Sequence, residues 1–303
     1  MDTVAPPIER PDAATSAADA SAIDTSAGDA TAGAAPPGSQ RRLYFVADTP
    51  DGPLRLTVDV DAAAIGADGA PPCAAVAAIA LDRCDALLAA LDRWLNRDLD
   101  WRWQPGAAPA VAAGTARCMT PAGAARLHLP WPLLRAAGTP DAPLAGQLDW
   151  DAAPAVLAIS RPPLTDADLA LLEPGGAVIL PESLAAGWHG RLRAADEPAD
   201  AGVAVALAGP GSPAPPSTAA ATDAAGAAAA ADACHEVRLA LPGPLAVPVL
   251  AGWPAGMRPA PDLTAAAALW RDARDGEPAR QLAAGTLLPW GDGWILTIAS
   301  LAE

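Results

Sequence analysis

Lysine is absent from this chain of 303 residues, and tyrosine and phenylalanine occur once each. All 19 basic residues are therefore arginine, and 35 acidic residues bring the formal net charge to −16. The bias toward Ala, Pro and Arg is typical of a GC-rich genome. The acidity argues against a nucleic-acid binder, which needs a basic stripe, and against binding to an anionic membrane surface. An acidic chain suits a partner that presents basic patches.

Several sequence signals of function are also missing. No apolar run approaches the ~18 residues of a membrane span, and no basic segment followed by an apolar one opens the chain, so neither a span nor a signal peptide is predicted. No G-x-S-x-G, P-loop or dinucleotide fingerprint occurs. We therefore predict no catalytic residues, no bound cofactor and no enzymatic activity.

The cysteines and histidines show no pattern of a metal site. Cys73, Cys84, Cys118 and Cys234 lie far apart, without a C-x-x-C pair, which favours free thiols in a cytoplasmic protein. The three histidines share no ligand spacing with one another or with the cysteines. No metal site is predicted from these residues.

Composition divides the chain into five stretches. Residues 1–40 and 209–233 have few large apolar side chains, and they predict a disordered tail and a flexible Pro/Ala-rich linker. The stretches 41–145, 146–208 and 234–303 are candidate folded domains. The predicted fold class is α+β, with an N-terminal α+β domain followed by two small β-rich domains. A unit of about 70 residues is at the small end for an independent core, so we expect the two small domains to pair.

In the first folded stretch, one part has the apolar spacing of a strand and a later part has the apolar spacing of a helix. Apolar and polar residues alternate through 54–60, after a strand-like 43–46 and a turn-rich link, which predicts a β-hairpin. Leucines and Cys84 recur at steps of three and four through 74–96, which predicts one long helix.

Two tryptophans after that helix leave two interpretations open. Trp101 and Trp103 share one face of a predicted strand, and packing on the helix is the expected role. The alternative function is a small-molecule-binding or enzymatic α+β domain that uses the Trp101/Trp103 face and nearby acids. A further strand at 126–129 is predicted to lead into a short helix that begins near Pro130.

The second half is predicted to be a series of short strands separated by turns. The strands are expected at 156–160, 177–180, 188–194, 203–207, 237–241, 245–250, 286–288 and 294–298. Thr165 is predicted as a helix N-cap, with Asp168 at the capping-box position. The pair Asp292-Gly293 is a hairpin-turn signal between two tryptophans.

Two motifs in this half resemble the "surface presentation of antigens" (SPOA) domain. Residues 169–180 read Leu-Ala-Leu-Leu-Glu-Pro-Gly-Gly-Ala-Val-Ile-Leu, similar to the family's leucine helix, Pro-Gly-Asp turn and aliphatic strand, although Gly176 stands where the family commonly has Asp. Residues 280–298 are similar to the closing strands, whereas 263–270 is Ala-rich instead of carrying a second leucine and Pro-Gly motif. The layout resembles the cytoplasmic-ring proteins of type III secretion (the SctQ or HrcQ/YscQ family), which are similar to flagellar motor-switch proteins.

This resemblance implies a non-enzymatic scaffold of the sorting platform, cytoplasmic and peripheral to the inner-membrane secretion apparatus. The implied partners are a paired SPOA unit, the ATPase stator and an adaptor to the inner-membrane ring. The residues that match the motifs would shape the two units, either as core or as interface. They are Leu169, Leu172, Gly175, Val178, Ile179, Leu180, Gly285, Leu287, Leu288, Trp294 and Ile298. A secretion chaperone or an export substrate is a third possibility.

Overall fold

A computed structural model describes most of the three stretches that were expected to fold. The described ranges are 41–60, 73–106, 113–185, 187–210, 234–253, 261–273 and 277–302. The predicted tail, and the predicted linker from residue 211 onward, lie outside these ranges. Helices and antiparallel strands occur together, which confirms the α+β class.

Six antiparallel strands form the first sheet. They are β1 Arg41–Ala47, β2 Leu54–Val60, β3 Arg102–Gln104, β4 Ala113–Thr120, β5 Gly123–Pro130 and β6 Asp149–Trp150. Their order across the sheet is β3-β1-β2-β5-β4-β6. The predicted hairpin is confirmed, because β1 and β2 pair along their whole length. The alternating aliphatic residues of β2 are buried, so one face of the sheet belongs to the core.

The helix predicted over 74–96 is two helices, α1 Ala74–Asp82 and α2 Asp85–Leu95. Between them the Cys84 amide donates to the Leu81 carbonyl three residues back, and the α-helical ladder is interrupted. The Cys84 side chain is buried at this break, as expected for a small apolar residue. Apolar spacing alone misses such a break, because both helices continue the same buried stripe.

Short helices connect the first sheet to the rest of the chain. Strand β5 runs into α3 Trp131–Ala137, which confirms the helix predicted near Pro130. The next helix, α4 Ala142–Ala145, is capped by Asp141, whose carboxylate accepts from the Leu144 amide at 3.0 Å. The chain then passes through β6 toward the second sheet.

The second sheet has eight antiparallel strands. They are β8 Ala155–Ser160, β9 Ala177–Leu180, β10 His189–Ala194, β11 Val203–Ala206, β12 His235–Leu239, β14 Ala266–Arg271, β15 Arg280–Trp290 and β16 Gly293–Leu301. Their order is β11-β10-β8-β12-β14-β15-β16-β9. Helix α5, Asp166–Ala170, lies between β8 and β9 in the chain and has the predicted capping box of Thr165 and Asp168. The hydrogen bonds from Thr165 lower the pKa of the Asp168 carboxyl.

In the last stretch one predicted strand was too long and one observed strand was not predicted. The strand predicted over 245–250 is only β13, Leu245–Ala246, which pairs with β7, Ala152–Ala153. The chain continues as a helical turn, α6 Val247–Leu250, because Pro248 has no amide to donate to a ladder. The Ala-rich run, in contrast, forms the central strand β14, although alanine is a poor strand former.

The core is continuous between the two sheets. Three tryptophans meet edge to face, with ring centroids 6.4 Å apart for Trp94–Trp150, 6.0 Å for Trp94–Trp253 and 5.2 Å for Trp150–Trp253. The indole N–H of Trp253 donates to the Leu134 carbonyl at 3.0 Å. The stretch 41–145 therefore packs directly on the C-terminal stretch.

Candidate interaction surfaces

The stretches 146–208 and 234–303, hereafter the first and second segments, share the eight-stranded sheet. Strands β12, β14, β15 and β16 of the second segment are contiguous in it. Strand β8 of the first segment borders β12 on one side, and β9 of the same segment borders β16 on the other. The second segment is thus held between two parts of the first. Removing either segment would leave unpaired strand edges on the other.

Hydrogen bonds beyond the strand ladder strengthen the junction between β9 and β16. The Gly175 amide donates to the Ile298 carbonyl at 2.8 Å, and the Ile298 amide donates to the Gly176 carbonyl at 2.9 Å. At the other end, the Trp294 amide donates to the Ser183 hydroxyl at 2.8 Å. Gly175 has a φ of +89°, a left-handed conformation that glycine adopts without strain.

The residues that match the SPOA motifs come together at this junction. Val178, Leu180, Leu287 and Ile298 are buried in the core, and Leu169, Leu172 and Trp294 pack against it half-buried. Ile179 and Leu288 lie on the opposite face of the sheet and are 58% and 48% exposed. Of the motif residues, which the sequence could not sort into core or interface, these two are at the surface.

Gly285 occupies a position where no side chain fits. A Cβ atom there would lie 1.7 Å from the Thr297 carbonyl oxygen and 2.8 Å from its carbonyl carbon. The register between β15 and β16 shifts between Ala284 and Gly285, so the two backbones approach closely at a bulge. The glycine of the closing motif is thus required by the packing of β15 on β16.

An exposed apolar surface covers the outer face near strand β9. Ile179 lies opposite Ile295, and Ile295 lies opposite Leu288, so the three side chains form a row across three strands, with the buried Ile295 between two exposed neighbours. Trp290 continues the row and is 65% exposed, and Leu184 packs beside Gly293 at the same end. We call Ile179, Leu184, Leu288 and Trp290 the apolar edge surface. Contiguous exposed apolar side chains of this kind mark interaction sites.

A groove adjoins this surface and runs between α5 and β9. It has a volume of about 470 Å³, and its walls are mostly apolar, with Pro163, Leu171 and Ile179 among the lining residues. Strand β9 is at the edge of the sheet, so within the described ranges its outer backbone groups have no neighbouring strand. The edge strand, the groove and the apolar row together form one surface that could receive a segment of another protein.

A buried ion-pair network lies where β8 and β12 meet. The Glu236 carboxylate is fully buried and accepts from Arg193 at 2.5 Å and from the Arg238 guanidinium. Arg161 lies 3.8 Å from Glu236 and 3.5 Å from Asp272. Arg238 also stacks on the Trp270 ring, 4.4 Å from its centroid. Buried charges of this kind are tolerated because each has an opposite charge beside it.

Burial sets the electrostatics of this network. Desolvation lowers the pKa of the Arg193 guanidinium, although an arginine keeps its charge at any ordinary pH. Burial, and then the neighbouring Glu236, raise the pKa of the Asp272 carboxyl. The Nε and Nη1 atoms of Arg193 find no hydrogen-bond partner among the described residues. Arg193 therefore depends on Glu236 for its compensation.

Sequence reasoning did not find this network. Charged residues that alternate with apolar ones in a strand usually indicate a solvated face. The only local signal is the recurrence of arginine and glutamate two residues apart in strongly apolar strands, as in Arg191/Arg193 and Glu236/Arg238. Pairing of strands far apart in sequence is what buries them.

The Trp101/Trp103 face does not form an open site. Both side chains are half-buried and pack against the core. The strand in this region is Arg102–Gln104, so it includes Trp103 and not Trp101. The nearby Asp100 and Asp48 carboxylates lie 3.0 Å and 3.8 Å from the Arg102 guanidinium, so both are engaged in exposed ion pairs. These contacts favour core packing of the two tryptophans over a ligand platform.

The outer face of the six-stranded sheet is lined by charged pairs. Arg42 lies 2.7 Å from Asp59, and Arg117 lies 3.0 Å from Asp149 and 2.9 Å from Asp151. Burial lowers the pKa of the nearby His128, and the charges of two neighbouring arginines lower it further. Arg42 and Arg117 are paired with acids, whereas Arg55 and Arg126 beside His128 form no ion pair among the described residues, so this face retains some unpaired positive charge.

The remaining side chains with metal or redox potential are dispersed. The four cysteines are free thiols, and burial raises the pKa of Cys118 to about 11. Across the described ranges, no three His, Cys, Asp or Glu side chains converge as a metal ion would require. Nor does any helix in that part of the chain combine the length and the apolar character needed to cross a membrane.

Comparison of the chain with protein-family models, with curated proteins and with solved structures gives no match. The resemblance to SPOA domains therefore rests on the sequence motifs alone.

Proposed function

We propose that this protein is a non-enzymatic scaffold subunit of a bacterial type III secretion cytoplasmic ring. The observation that supports this function is the interleaved sheet, in which β8 and β9 of the first segment enclose the four strands of the second. SPOA units of the family that the motifs resemble form intertwined pairs, and an enclosure on both sides is the arrangement expected of such a pair within one chain. The working location is the cytoplasmic side of the inner membrane.

The apolar edge surface is the proposed docking site for the ATPase stator. It lies on the paired segments, so it exists only when the pair is formed. Its side chains are apolar, and the mostly apolar groove beside it has a volume of about 470 Å³. An adaptor to the inner-membrane ring is the second proposed partner of the scaffold.

Substitution of the apolar edge surface tests this function. The variant with Ile179→Glu and Leu288→Glu is expected to bind the stator protein of the same secretion system at least ~30-fold more weakly, since burying two such side chains contributes about 2–4 kcal/mol. Binding is measured by titration with the purified proteins. Both side chains are about half exposed in the free chain, so the fold is expected to survive.

The matched control is Met119→Glu, which places the same charge on a side chain that is 78% exposed on the other sheet. It is expected to bind the stator as tightly as the unmodified chain. The proposal fails if the unmodified chain does not bind the stator protein, or if the double variant binds it with unchanged affinity.

A further inference from the structure

The charges buried between the first and second segments are divided unequally. Five charged side chains meet at this junction: Arg161 and Arg193 from the first segment, and Glu236, Arg238 and Asp272 from the second. The first segment thus contributes two positive charges. The second contributes one positive and two negative charges, a net of −1. Within the described residues, the two arginines of the first segment find their acidic partners only on the second.

The buried ion pairs that cross the junction all join an arginine of the first segment to an acid of the second. Arg193 and Arg161 of the first segment contact acids of the second, at 2.5 Å and 3.8 Å from Glu236. Within the described residues, one ion pair joins a base of the second segment to an acid of the first, Arg271 to Asp166 at 3.6 Å, and the Asp166 side chain is almost fully exposed. Solvent screens that exposed pair, so the buried contacts dominate the electrostatics of the junction.

Leu157 of β8 lies opposite Leu239 of β12, and a leucine opposite a leucine would fit equally well if two copies of the same segment met. The junction of β9 with β16 pairs unlike residues, with Leu180 opposite Trp294. Where β8 and β12 meet, selection between the two kinds of pair is therefore expected from the charged residues on the other face of these strands.

We propose that the buried network is a pairing code that makes the first segment bind the second and excludes pairs of like segments. The proposal rests on the proposed function in treating the segments as modules that could exchange between copies of the chain. Two first segments would bring Arg161 and Arg193 together with their own copies, at a net charge of +4. Two second segments would do the same with Glu236 and Asp272, at −2. Burying unpaired charges disfavours both wrong pairs.

Charge reversal in the full-length chain tests the code. A protease site is inserted in the predicted linker 209–233, and the cleaved chain is analysed by size exclusion. The two fragments of the unmodified chain are expected to elute together. Arg193→Glu or Glu236→Arg alone is expected to weaken their association at least about a hundredfold, and the double variant to recover most of it. The reversal Arg117→Glu, at an exposed ion pair, is the control and is expected to change nothing.

Exchange of second segments between two co-expressed chains gives a second measurement. It remains informative even if the single variants fold poorly. A tagged chain with Arg193→Glu is co-expressed with an untagged chain with Glu236→Arg. Exchange of second segments gives a dimer with one original junction and one charge-swapped junction, so the two chains are expected to purify together at one to one. A tagged Arg193→Glu chain co-expressed with the unmodified chain is expected to retain at most a tenth as much partner.

Two results would overturn the pairing code. One is a double variant whose fragments separate as readily as those of the single variants. The other is co-purification of the complementary chains at no more than the level of the unmodified partner. Either result would assign the pairing to apolar burial and leave the proposed scaffold function standing. If the stator does not bind the apolar edge surface while the charge-reversal results agree with the pairing code, the proposed function is wrong and the pairing code stands.

Discussion

The variant Gly285→Ala is expected to lose about 3 kcal/mol of its free energy of unfolding, or more. Its new Cβ atom would have to lie 1.7 Å from the Thr297 carbonyl oxygen, a distance that no rotamer change relieves because both groups are backbone or Cβ. Strand β16 would therefore have to move away from β15. The loss is measured by urea denaturation, followed by tryptophan fluorescence.

Gly243 provides a matched control in the same segment. An added Cβ at Gly243 meets no atom within 4 Å, and its backbone lies outside the left-handed region. Gly243→Ala is expected to change stability by less than about 0.5 kcal/mol. If Gly285→Ala is as stable as Gly243→Ala, the close approach of β15 and β16 is wrong, and with it the register of the closing motif.

The effect of Gly285→Ala is expected to reach the first segment as well. Strand β16 is paired with β9, and the Ile298 backbone binds Gly175 and Gly176. Displacing β16 therefore disturbs the strand that carries Ile179. The same variant is expected to weaken docking at the apolar edge surface, because that surface needs β9, β16 and β15 in register.

Local patterns in the sequence were sufficient to predict several elements. The alternation in 54–60 predicts β2 because a strand with one buried face has a period of two residues. Thr165 and Asp168 predict the start of α5, because the capping box satisfies backbone donors within four residues of chain. Both signals depend on contacts that are close in sequence, so no knowledge of the remaining fold is needed.

Elements that depend on distant contacts could not be predicted. Strand β14 is rich in alanine and acquires its structure from β12 and β15 on its two sides. The enclosure of the second segment by β8 and β9 involves strands more than 70 residues apart in the chain (Ser160 lies opposite Val237), and no local signal encodes that pairing. Strand identity at such positions is decided by neighbours and burial.

The candidate site was predicted in part. Several of the motif residues lie on β9 and β16, which pair at the junction of the two segments, but hydrophobic type alone did not separate Ile179 and Leu288 from the core. Period two does place neighbours on opposite faces, yet which face is covered depends on the rest of the fold. The buried network was missed for the same reason, since Glu236 resembles a solvated strand residue until β8 and β10 are placed beside it.

The variant Trp253→Ala is expected to destabilise the chain by about 3–5 kcal/mol, the usual cost of removing a buried tryptophan. The indole of Trp253 fills the space between Trp94 and Trp150 and donates to the Leu134 carbonyl. Its removal leaves a cavity between the two sheets and an unpaired carbonyl. Because these contacts join 41–145 to the second segment, the loss is expected to appear as a shift of a single unfolding transition in urea.

Trp290→Ala is the matched control, since the same aromatic ring is removed from a side chain that is 65% exposed. It is expected to shift stability by no more than about 0.5 kcal/mol. Two separated transitions in the Trp253→Ala variant, with the one from 41–145 unchanged, would show that the two sheets fold independently. A single shifted transition means that the N-terminal sheet is part of the same cooperative unit as the paired segments, so a partner that docks on one sheet also acts on the other.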